Sequence, residues 1–237
     1  MGPYERTRML IGEDAMTRLR AACVAVFGVG GVGGYAVEAL ARSGVGALDL
    51  IDSDTVCPSN LNRQLIATRE TIGRYKVDAA AERIASIDPE IAVRTYRTFY
   101  LPETAEEFDL ACYDYIVDAI DTVTGKIALA LNARRAGTPM IAALGTGNKL
   151  DPAKLALGDI YDTSVCPLAR VMRRELRRRG VERLTVLWSD EEPVKPCAPE
   201  EESDRRAVPG STAFVPGAGG LIIASKVVRD LIGPARL

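Results

Sequence analysis

The stretch CVAVFGVGGVGG, residues 23–34, decides the fold of this chain. Its first five residues are all apolar, which is typical of a strand buried on both faces of a parallel sheet. Gly28, Gly30 and Gly33 follow with the spacing G-x-G-x-x-G, directly before a helical stretch. The first glycine permits a tight turn, the second lets the backbone approach a phosphate, and the third allows close helix–strand packing. The order strand, glycine turn and helix N-terminus therefore predicts a nucleotide-binding site.

Strands and helices alternate on both sides of this turn. The pattern predicts strands at 23–27, 47–51, 91–95, 115–117, 139–143 and 184–187, and helices at 13–19, 35–42, 73–87, 123–136, 167–179 and 221–232. Alternation of this kind implies right-handed crossovers. We expect an α/β, Rossmann-like fold, with helices on both faces of a mostly parallel sheet and a smaller C-terminal extension. We expect a single domain over 1–237, with a nucleotide-binding half to about 145 and a surface loop at 191–216.

Composition excludes several classes of function. The chain has 237 residues with 30 Lys+Arg against 32 Asp+Glu, so an RNA site would need a local cluster of positive charge. It contains no histidine, which removes Ser-His and Cys-His nucleophilic mechanisms. No Cys-x-x-Cys pair is present, so we expect no zinc. The first residues lack a signal peptide and no run is apolar enough for a membrane span, so we expect a cytoplasmic protein without a membrane partner.

Polar side chains follow the second and fourth predicted strands. Asp52 ends the second strand, where a carboxylate can hold a ribose hydroxyl. Downstream, Arg63 can form a fork to phosphate oxygens and Lys76 can act as a point charge. Asp121 follows the fourth strand, where a carboxylate can hold a Mg²⁺ ion that bridges phosphates. The glycine motif alone does not separate NAD from ATP, but this cluster favours a triphosphate over an NAD-dependent dehydrogenase or redox module.

These motifs together resemble the ThiF/MoeB and ubiquitin-activating superfamily, whose members use ATP to adenylate a carboxylate. The resemblance rests on residues 28–34, Asp52-x-Asp54, SNLNRQ at 59–64, Lys76 and Asp118-x-x-Asp121. It implies catalytic roles for Arg63, Lys76 and Asp121, with Mg²⁺ on Asp121. It implies that ATP contacts Gly28, Gly30, Gly31, Gly33, Asp52, Asp54, Asn60, Arg63, Gln64, Lys76 and Asp121. Arg6 resembles an arginine that reaches the partner subunit's ATP, with Arg8 an equal candidate, and a homodimer is implied.

The second half of the chain indicates a branch of this superfamily. Sulfur-carrier activators typically hold zinc with two Cys-x-x-Cys pairs, which this sequence lacks. Instead, GTGNKLDP at 145–152, DIYDTSVCPLARVMRREL at 159–176 and SDEEPVKP at 189–196 resemble the tRNA threonylcarbamoyladenosine dehydratases. The resemblance implies adenylation of the carboxylate of N6-threonylcarbamoyladenosine in tRNA, followed by ring closure with loss of AMP. The alternative is activation of the C-terminal glycine of a ubiquitin-like sulfur carrier, and a cysteine-desulfurase or sulfur-acceptor partner stays open.

The predicted helix 167–179 carries the local cluster of positive charge that an RNA partner would need. In 167–179, five arginines fall on one face, with Leu168, Met172 and Leu176 opposite. The arginines are Arg170, Arg173, Arg174, Arg177 and Arg178. They are candidates for tRNA phosphate contacts, and a solvated face with salt bridges is the alternative. Cys166 precedes the helix and is expected to pack or cap rather than act as a nucleophile. Apolar stretches at 214–215 and 221–223 are expected to need the buried surface of a dimer.

Overall fold

A computed structural model describes residues 2–195, 197 and 209–233, and it confirms the α/β fold. The strands are β1 (Cys23–Phe27), β2 (Ala47–Ile51), β3 (Ala92–Tyr96), β4 (Tyr115–Asp118), β5 (Met140–Ala143), β6 (Leu155–Asp159) and β7 (Thr185–Ser189). The α-helices are α1 (Glu5–Ile11), α2 (Glu13–Ala21), α3 (Gly33–Arg42), α4 (Lys76–Ile87), α5 (Val123–Ala136), α6 (Pro167–Arg178) and α7 (Phe214–Ile232). All the strands belong to one sheet, so the two halves of the chain share a single scaffold.

The order of strands in the sheet places the ligand site. The order is β3-β2-β1-β4-β5-β7-β6, and only β6 runs antiparallel to its neighbour among the paired strands. From β1 the chain proceeds outward through β2 and β3, then returns to continue from β4 on the other side. The crevice between β1 and β4 at the carboxyl ends of the strands is therefore the switch point at which such sheets bind ligands.

Helices cover both faces of the sheet, as the sequence predicts. On one face α2, α3, α4 and α7 bury aliphatic side chains, and on the other α5 and α6 pack over Phe27 and Ile116. The strands β1, β2 and β4 are almost wholly buried, which explains their continuous apolar sequences. Within the described ranges, none of the helices combines the length and the hydropathy needed to cross a bilayer.

The structure differs from the sequence prediction at several elements. Strand β6 was not predicted, because its sequence LALGD contains a glycine and its side chains are only half-buried. Helix α1 was not predicted either, since it buries none of its side chains. Helix α7 begins at Phe214 rather than Leu221, so the predicted loop ends earlier than residue 216. Residues 196 and 198–208 of that loop lie outside the described residues.

Helix α7 also corrects one expectation about dimerisation. Val215 and Ile223 are buried in the chain's own core and need no partner surface. Phe214 and Leu221, in contrast, are about half exposed. The first turns of the helix hold weak helix formers, Pro216 and the glycines at 217, 219 and 220. Gly217 and Gly220 lie where α7 crosses α3. A Cβ atom on Gly220 would lie 2.3 Å from the Val32 carbonyl oxygen and 2.7 Å from the Tyr35 Cβ.

We expect Gly220→Ala to lower the free energy of unfolding by about 1–3 kcal/mol, because the added methyl group forces the two helices apart. Urea denaturation followed by circular dichroism measures this change. Ser225→Ala, an exposed change on the same helix, is the matched control and is expected to stay within about 0.5 kcal/mol. Equal stability of the two variants would show that the crossing is not close-packed.

Candidate functional site

A cavity of about 470 Å³ opens at the carboxyl ends of the central strands. This volume lies within the range of small-molecule and cofactor sites. Its lining includes most of the residues selected from the sequence, namely Gly28, Gly30, Gly31, Asp52, Asp54, Asn60, Arg63, Gln64, Lys76 and Asp121. Gly33 supports the turn from outside the lining, and Arg6 does not line the cavity of its own chain. The structure therefore brings residues from a span of 94 positions, 28 to 121, into one site.

The glycine turn is held by very close backbone contacts. Gly28 has a φ of +90°, and a Cβ atom there would lie 2.6 Å from the Ala119 carbonyl oxygen. A Cβ atom on Gly33 would lie 1.8 Å from the Gly28 carbonyl oxygen. At Gly30 the nearest atom to a Cβ would be the Gln64 Nε2 at 3.7 Å, so this glycine is not closely packed. The first and third glycines thus fix the turn, and the second exposes backbone to a ligand.

Asp52 links the glycine turn to the cavity. Its Oδ2 accepts a hydrogen bond from the Val29 N–H at 2.8 Å, and its Oδ1 accepts one from the Asp54 N–H at 2.9 Å. Each carboxylate oxygen has a second lone pair with which it can accept a further donor such as a ribose hydroxyl. Burial raises the pKa of Asp52, while the Lys76 ammonium, 3.9 Å from Oδ2, acts in the opposite direction.

Basic side chains are held along one wall. Lys76 is buried, and its Nζ donates to Asp54 Oδ2 at 2.6 Å. Arg63 donates from Nη1 to the Ser59 carbonyl at 2.8 Å and to Asn62 Oδ1 at 2.9 Å, which fixes its guanidinium at the cavity. Held in these positions, both cations can contact phosphate oxygens without a large rearrangement.

Two further acceptor groups line the cavity. Gln64 is buried, and its Oε1 has no hydrogen-bond partner among the described residues, so it can accept a donor from a ligand. Asp121 is exposed on the turn after β4. Within the described part of the chain, no cluster of three or more His, Cys, Asp or Glu side chains could hold a metal ion. A Mg²⁺ ion here would be shared between the Asp121 carboxylate and phosphate oxygens, as is usual for Mg²⁺ with nucleotides.

Several lining residues were not found from the sequence. Thr98, Phe99 and Tyr100 follow β3, and the Phe99 side chain is 53% exposed. The segment 209–211 forms another wall. It is held by the Asn62 Nδ2, which donates to the Ser211 carbonyl at 2.9 Å, and by Asn148, whose Oδ1 accepts the Gly210 N–H at 2.7 Å. Aromatic and proline residues in loops carry no periodic signal, so their position on the cavity becomes visible only in the fold.

Helix α6 starts at the cavity and leads away from it. Leu168 lines the cavity, and Met172 and Leu176 are buried beneath the helix. The five arginines line one shallow depression on the outer face. Arg173 is engaged with Thr163 through its carbonyl at 2.6 Å and its hydroxyl, and Arg177 stacks over the Tyr161 ring at 4.9 Å. Arg174 and Arg178 form ion pairs with Glu175, and Arg170 is exposed.

Cys166 is buried at the start of α6, and its side chain makes no capping hydrogen bond. Its Sγ would lie 3.3 Å from a Cβ atom placed on Gly145, so the thiol fills space against the cavity wall. This position fits the expected packing role and not a capping role.

The fold and the site define a Rossmann-like α/β protein with a nucleotide-sized cavity at the carboxyl edge of its sheet. The sequence profile of the ThiF family matches residues 4–235. The chain therefore belongs to the ThiF family.

Two relatives and two solved structures show the extent of the similarity. The chain is similar to the Bacillus subtilis tRNA threonylcarbamoyladenosine dehydratase, with 41% identity over 97% of this chain and 94% of that protein. The Escherichia coli protein of the same name is 40% identical over 72% of this chain and 64% of its own length. Crystal structures of the E. coli enzyme with ATP and with AMP, each 33% identical, match with TM-scores of 0.88 and 0.87. These matches cover 97% and 96% of this chain, and 93% and 92% of those chains.

The raised pKa of Asp52 gives a prediction for stability against pH. A carboxyl whose pKa is higher in the folded than in the unfolded state lowers the free energy of unfolding as pH rises from its unfolded pKa through its folded pKa. Asp52→Asn removes this pH-dependent contribution to stability, because the asparagine side chain does not ionise. We therefore expect the stability of Asp52→Asn relative to the wild type to increase as pH rises above about 4, even though one hydrogen-bond acceptor is replaced.

Urea titrations of both proteins at several pH values, with nucleotide absent, measure this difference. Asp78→Asn, which changes a half-buried carboxylate paired with the exposed Arg97, is the control for general charge effects. A stability difference that stays constant or falls with pH for Asp52→Asn would contradict the burial of this carboxyl.

Proposed function

We propose that this chain is an ATP-dependent tRNA threonylcarbamoyladenosine dehydratase. It adenylates the carboxylate of N6-threonylcarbamoyladenosine in tRNA and cyclises the activated group, with release of AMP and pyrophosphate. The observation that carries the proposal is the 41% identity to a dehydratase over nearly the full length of both chains. The cavity supports it, because the cations and carboxylates suited to a nucleoside triphosphate converge there.

The chemistry divides into two steps. A carboxylate oxygen of the substrate attacks the α-phosphorus of ATP, an O–P bond forms, and pyrophosphate leaves. A nucleophilic atom of the threonylcarbamoyl group then attacks the activated acyl carbon, the ring closes, and AMP departs with the former carboxylate oxygen. The net result is loss of one water from the nucleoside. No side chain has to serve as a nucleophile, which agrees with the absence of histidine and with a buried Cys166.

Six of the residues that line the cavity have a part in the first step. The backbone at Gly30 and Gly31 approaches the phosphates, and Asp52 accepts a ribose hydroxyl. Arg63 and Lys76 stabilise the negative charge that develops on the α-phosphate as the carboxylate attacks. The Asp121 carboxylate would hold a Mg²⁺ ion together with the phosphates, and that ion would supply Lewis-acid stabilisation of phosphate charge.

The arginine face of α6 is the proposed contact with tRNA phosphates. Because Leu168 on the same helix lines the nucleotide cavity, a tRNA bound along the face would approach the reacting phosphate. Contacts within the chain differ among the five arginines. Arg173 is held by Thr163 and Arg177 stacks over Tyr161. Arg174 and Arg178 pair with Glu175 at the surface, and Arg170 is exposed.

The active assembly is proposed to be a homodimer in the cytoplasm. On α1, the Met9 and Leu10 side chains are 74% and 85% exposed, which favours their burial against a second copy. Arg6 lies on the same helix and can reach a partner's cavity only in such an assembly. The whole chain acts as one adenylating domain, with the residues after 145 completing the substrate side. A cysteine desulfurase or other sulfur partner is not required by this chemistry.

The test is AMP release by purified protein supplied with Mg·ATP and one of two tRNAs. We expect AMP only with tRNA that carries threonylcarbamoyladenosine, together with a nucleoside lighter by one water in mass spectrometry. Arg63→Ala is expected to slow the reaction by about 100-fold or more, because it removes charge stabilisation at the phosphate.

The alternative function makes the opposite prediction. If ATP binds but no AMP forms with modified tRNA, the dehydratase assignment is wrong. Release of AMP, or exchange of pyrophosphate into ATP, that depends instead on a ubiquitin-like protein would identify a carrier-protein activator.

For the tRNA surface, we expect Arg170→Glu/Arg178→Glu to weaken tRNA binding by about tenfold or more, since two phosphate contacts become repulsive. ATP affinity should stay unchanged. Arg18→Glu/Arg229→Glu introduces the same charge change at exposed positions on α2 and α7, and serves as the control. Filter binding at fixed salt measures both variants. Equal tRNA affinity of the two would remove α6 from the interface.

A further inference from the structure

A fully buried ion pair lies directly behind the cavity. Asp118, the last residue of β4, is 0% exposed at its side chain, and Lys126, in the first turns of α5, is 1% exposed. Lys126 Nζ donates to Asp118 Oδ1 at 2.9 Å. The pair joins the end of the central strand to the helix that follows it, and neither residue lines the cavity.

Packing alone does not account for this buried ion pair, because burying two charges costs hydration free energy. Two charges withdrawn from water lose more hydration free energy than one contact returns, and apolar residues of equal size often replace such pairs without loss of stability. The second oxygen, Asp118 Oδ2, is also buried without a hydrogen-bond partner in the part of the chain that the structure describes. An ion pair that costs free energy in this way, with one carboxylate oxygen lacking a partner, points to a role in holding the neighbouring backbone in position.

The oxygen that accepts from Lys126, Asp118 Oδ1, also organises the turn that carries Asp121. Asp118 Oδ1 accepts the Ile120 N–H at 3.0 Å in addition to the Lys126 bond. The intervening Ala119 packs against the glycine turn, since its carbonyl oxygen blocks a Cβ on Gly28. One oxygen atom therefore ties together the strand end, the turn of 119–121 and helix α5. Ile120 and Asp121, in that turn, both line the cavity.

We propose that Asp118 and Lys126 are positioning residues that hold the Asp121 carboxylate towards the triphosphate and its Mg²⁺. Lys126 also neutralises Asp118, so that Asp121 is the carboxylate whose charge is presented from this turn to the cation. Groups that orient a metal-binding carboxylate through hydrogen bonds commonly change metal affinity or activity by about 10–100-fold when they are removed. The inference rests on the proposed function for the identity of the nucleotide, but its test does not require the tRNA reaction.

The experiment compares ATP affinity with excess Mg²⁺ and with EDTA by calorimetry. In Asp118→Asn/Lys126→Met both charges are absent, and the asparagine Oδ1 can still accept the Ile120 N–H. We expect ATP affinity in EDTA to change less than about threefold, and the gain in affinity on adding Mg²⁺ to fall by about tenfold. Where the tRNA reaction is active, the KM for Mg·ATP should rise by about tenfold with the KM for tRNA little changed.

The control is a second buried carboxylate that lies away from the cavity. Asp49 is buried and pairs with Arg94 at 2.7 Å, and neither residue lines the site. Asp49→Asn/Arg94→Met is expected to lower the unfolding temperature but to keep the full effect of Mg²⁺ on ATP binding. Should the first double variant fail to fold, the apolar pair Asp118→Leu/Lys126→Met, which leaves no uncompensated buried charge and removes the acceptor of the Ile120 N–H, is measured in the same way, with the same or a larger loss expected.

The proposal is overturned if the folded variant keeps the wild-type gain in ATP affinity from Mg²⁺ within about twofold. It is also overturned if Mg²⁺ has no effect on ATP binding by the wild type, or if the control pair loses the effect equally. Failure of the dehydratase reaction in the wild type, with these binding results as expected, would count against the proposed function alone.

Discussion

The close approach of the glycine turn to the ends of β1 and β4 is the constraint on which the rest of the structure depends. Side chains are excluded at Gly28 and Gly33, because a Cβ atom would meet backbone at 2.6 Å and 1.8 Å. This contact fixes where α3 begins, and it places the N-terminus of that helix at the switch point of the sheet. A second close backbone contact of this kind lies outside the turn, where α7 packs on α3 through Gly220. The two glycine-dependent contacts connect the N-terminal turn with the C-terminal helix.

Charge is then arranged around this fixed turn. Asp52 accepts an N–H from the turn itself, Lys76 is bonded to Asp54, and Asp118 supports the turn that carries Asp121. Several of these groups are buried, where electrostatic interactions are stronger than in water and where their geometry cannot relax. Charged groups that are already in position are the requirement for stabilising charge that develops at a phosphate. The absence of histidine is consistent with chemistry driven by the activated phosphate and not by a proton-abstracting imidazole.

The sequence was sufficient for the fold class and for the group of residues that converge on the cavity. A continuous apolar strand, a glycine turn and polar residues at strand ends each carry a local signal that survives without tertiary information. The sequence was insufficient for those strands and lining residues whose positions are decided by tertiary packing. Among the described strands, β6 pairs with β7 alone, and it is half-buried, so its alternation is weak. Phe99 and Ser211 reach the cavity through loops, and Lys126 is indistinguishable in sequence from a surface lysine. The roles of the individual site residues remain predictions.

The central claim is that a substrate carboxylate is adenylated in this cavity. The most direct measurement is transfer of ¹⁸O from tRNA whose threonylcarbamoyladenosine is labelled in the carboxylate. If the carboxylate attacks the α-phosphorus, the AMP released on ring closure carries one labelled oxygen, and mass spectrometry detects it. We expect labelled AMP in amounts equal to the cyclised nucleoside. Label found in inorganic phosphate, with ADP as the nucleotide product, would show attack at the γ-phosphorus and contradict adenylation.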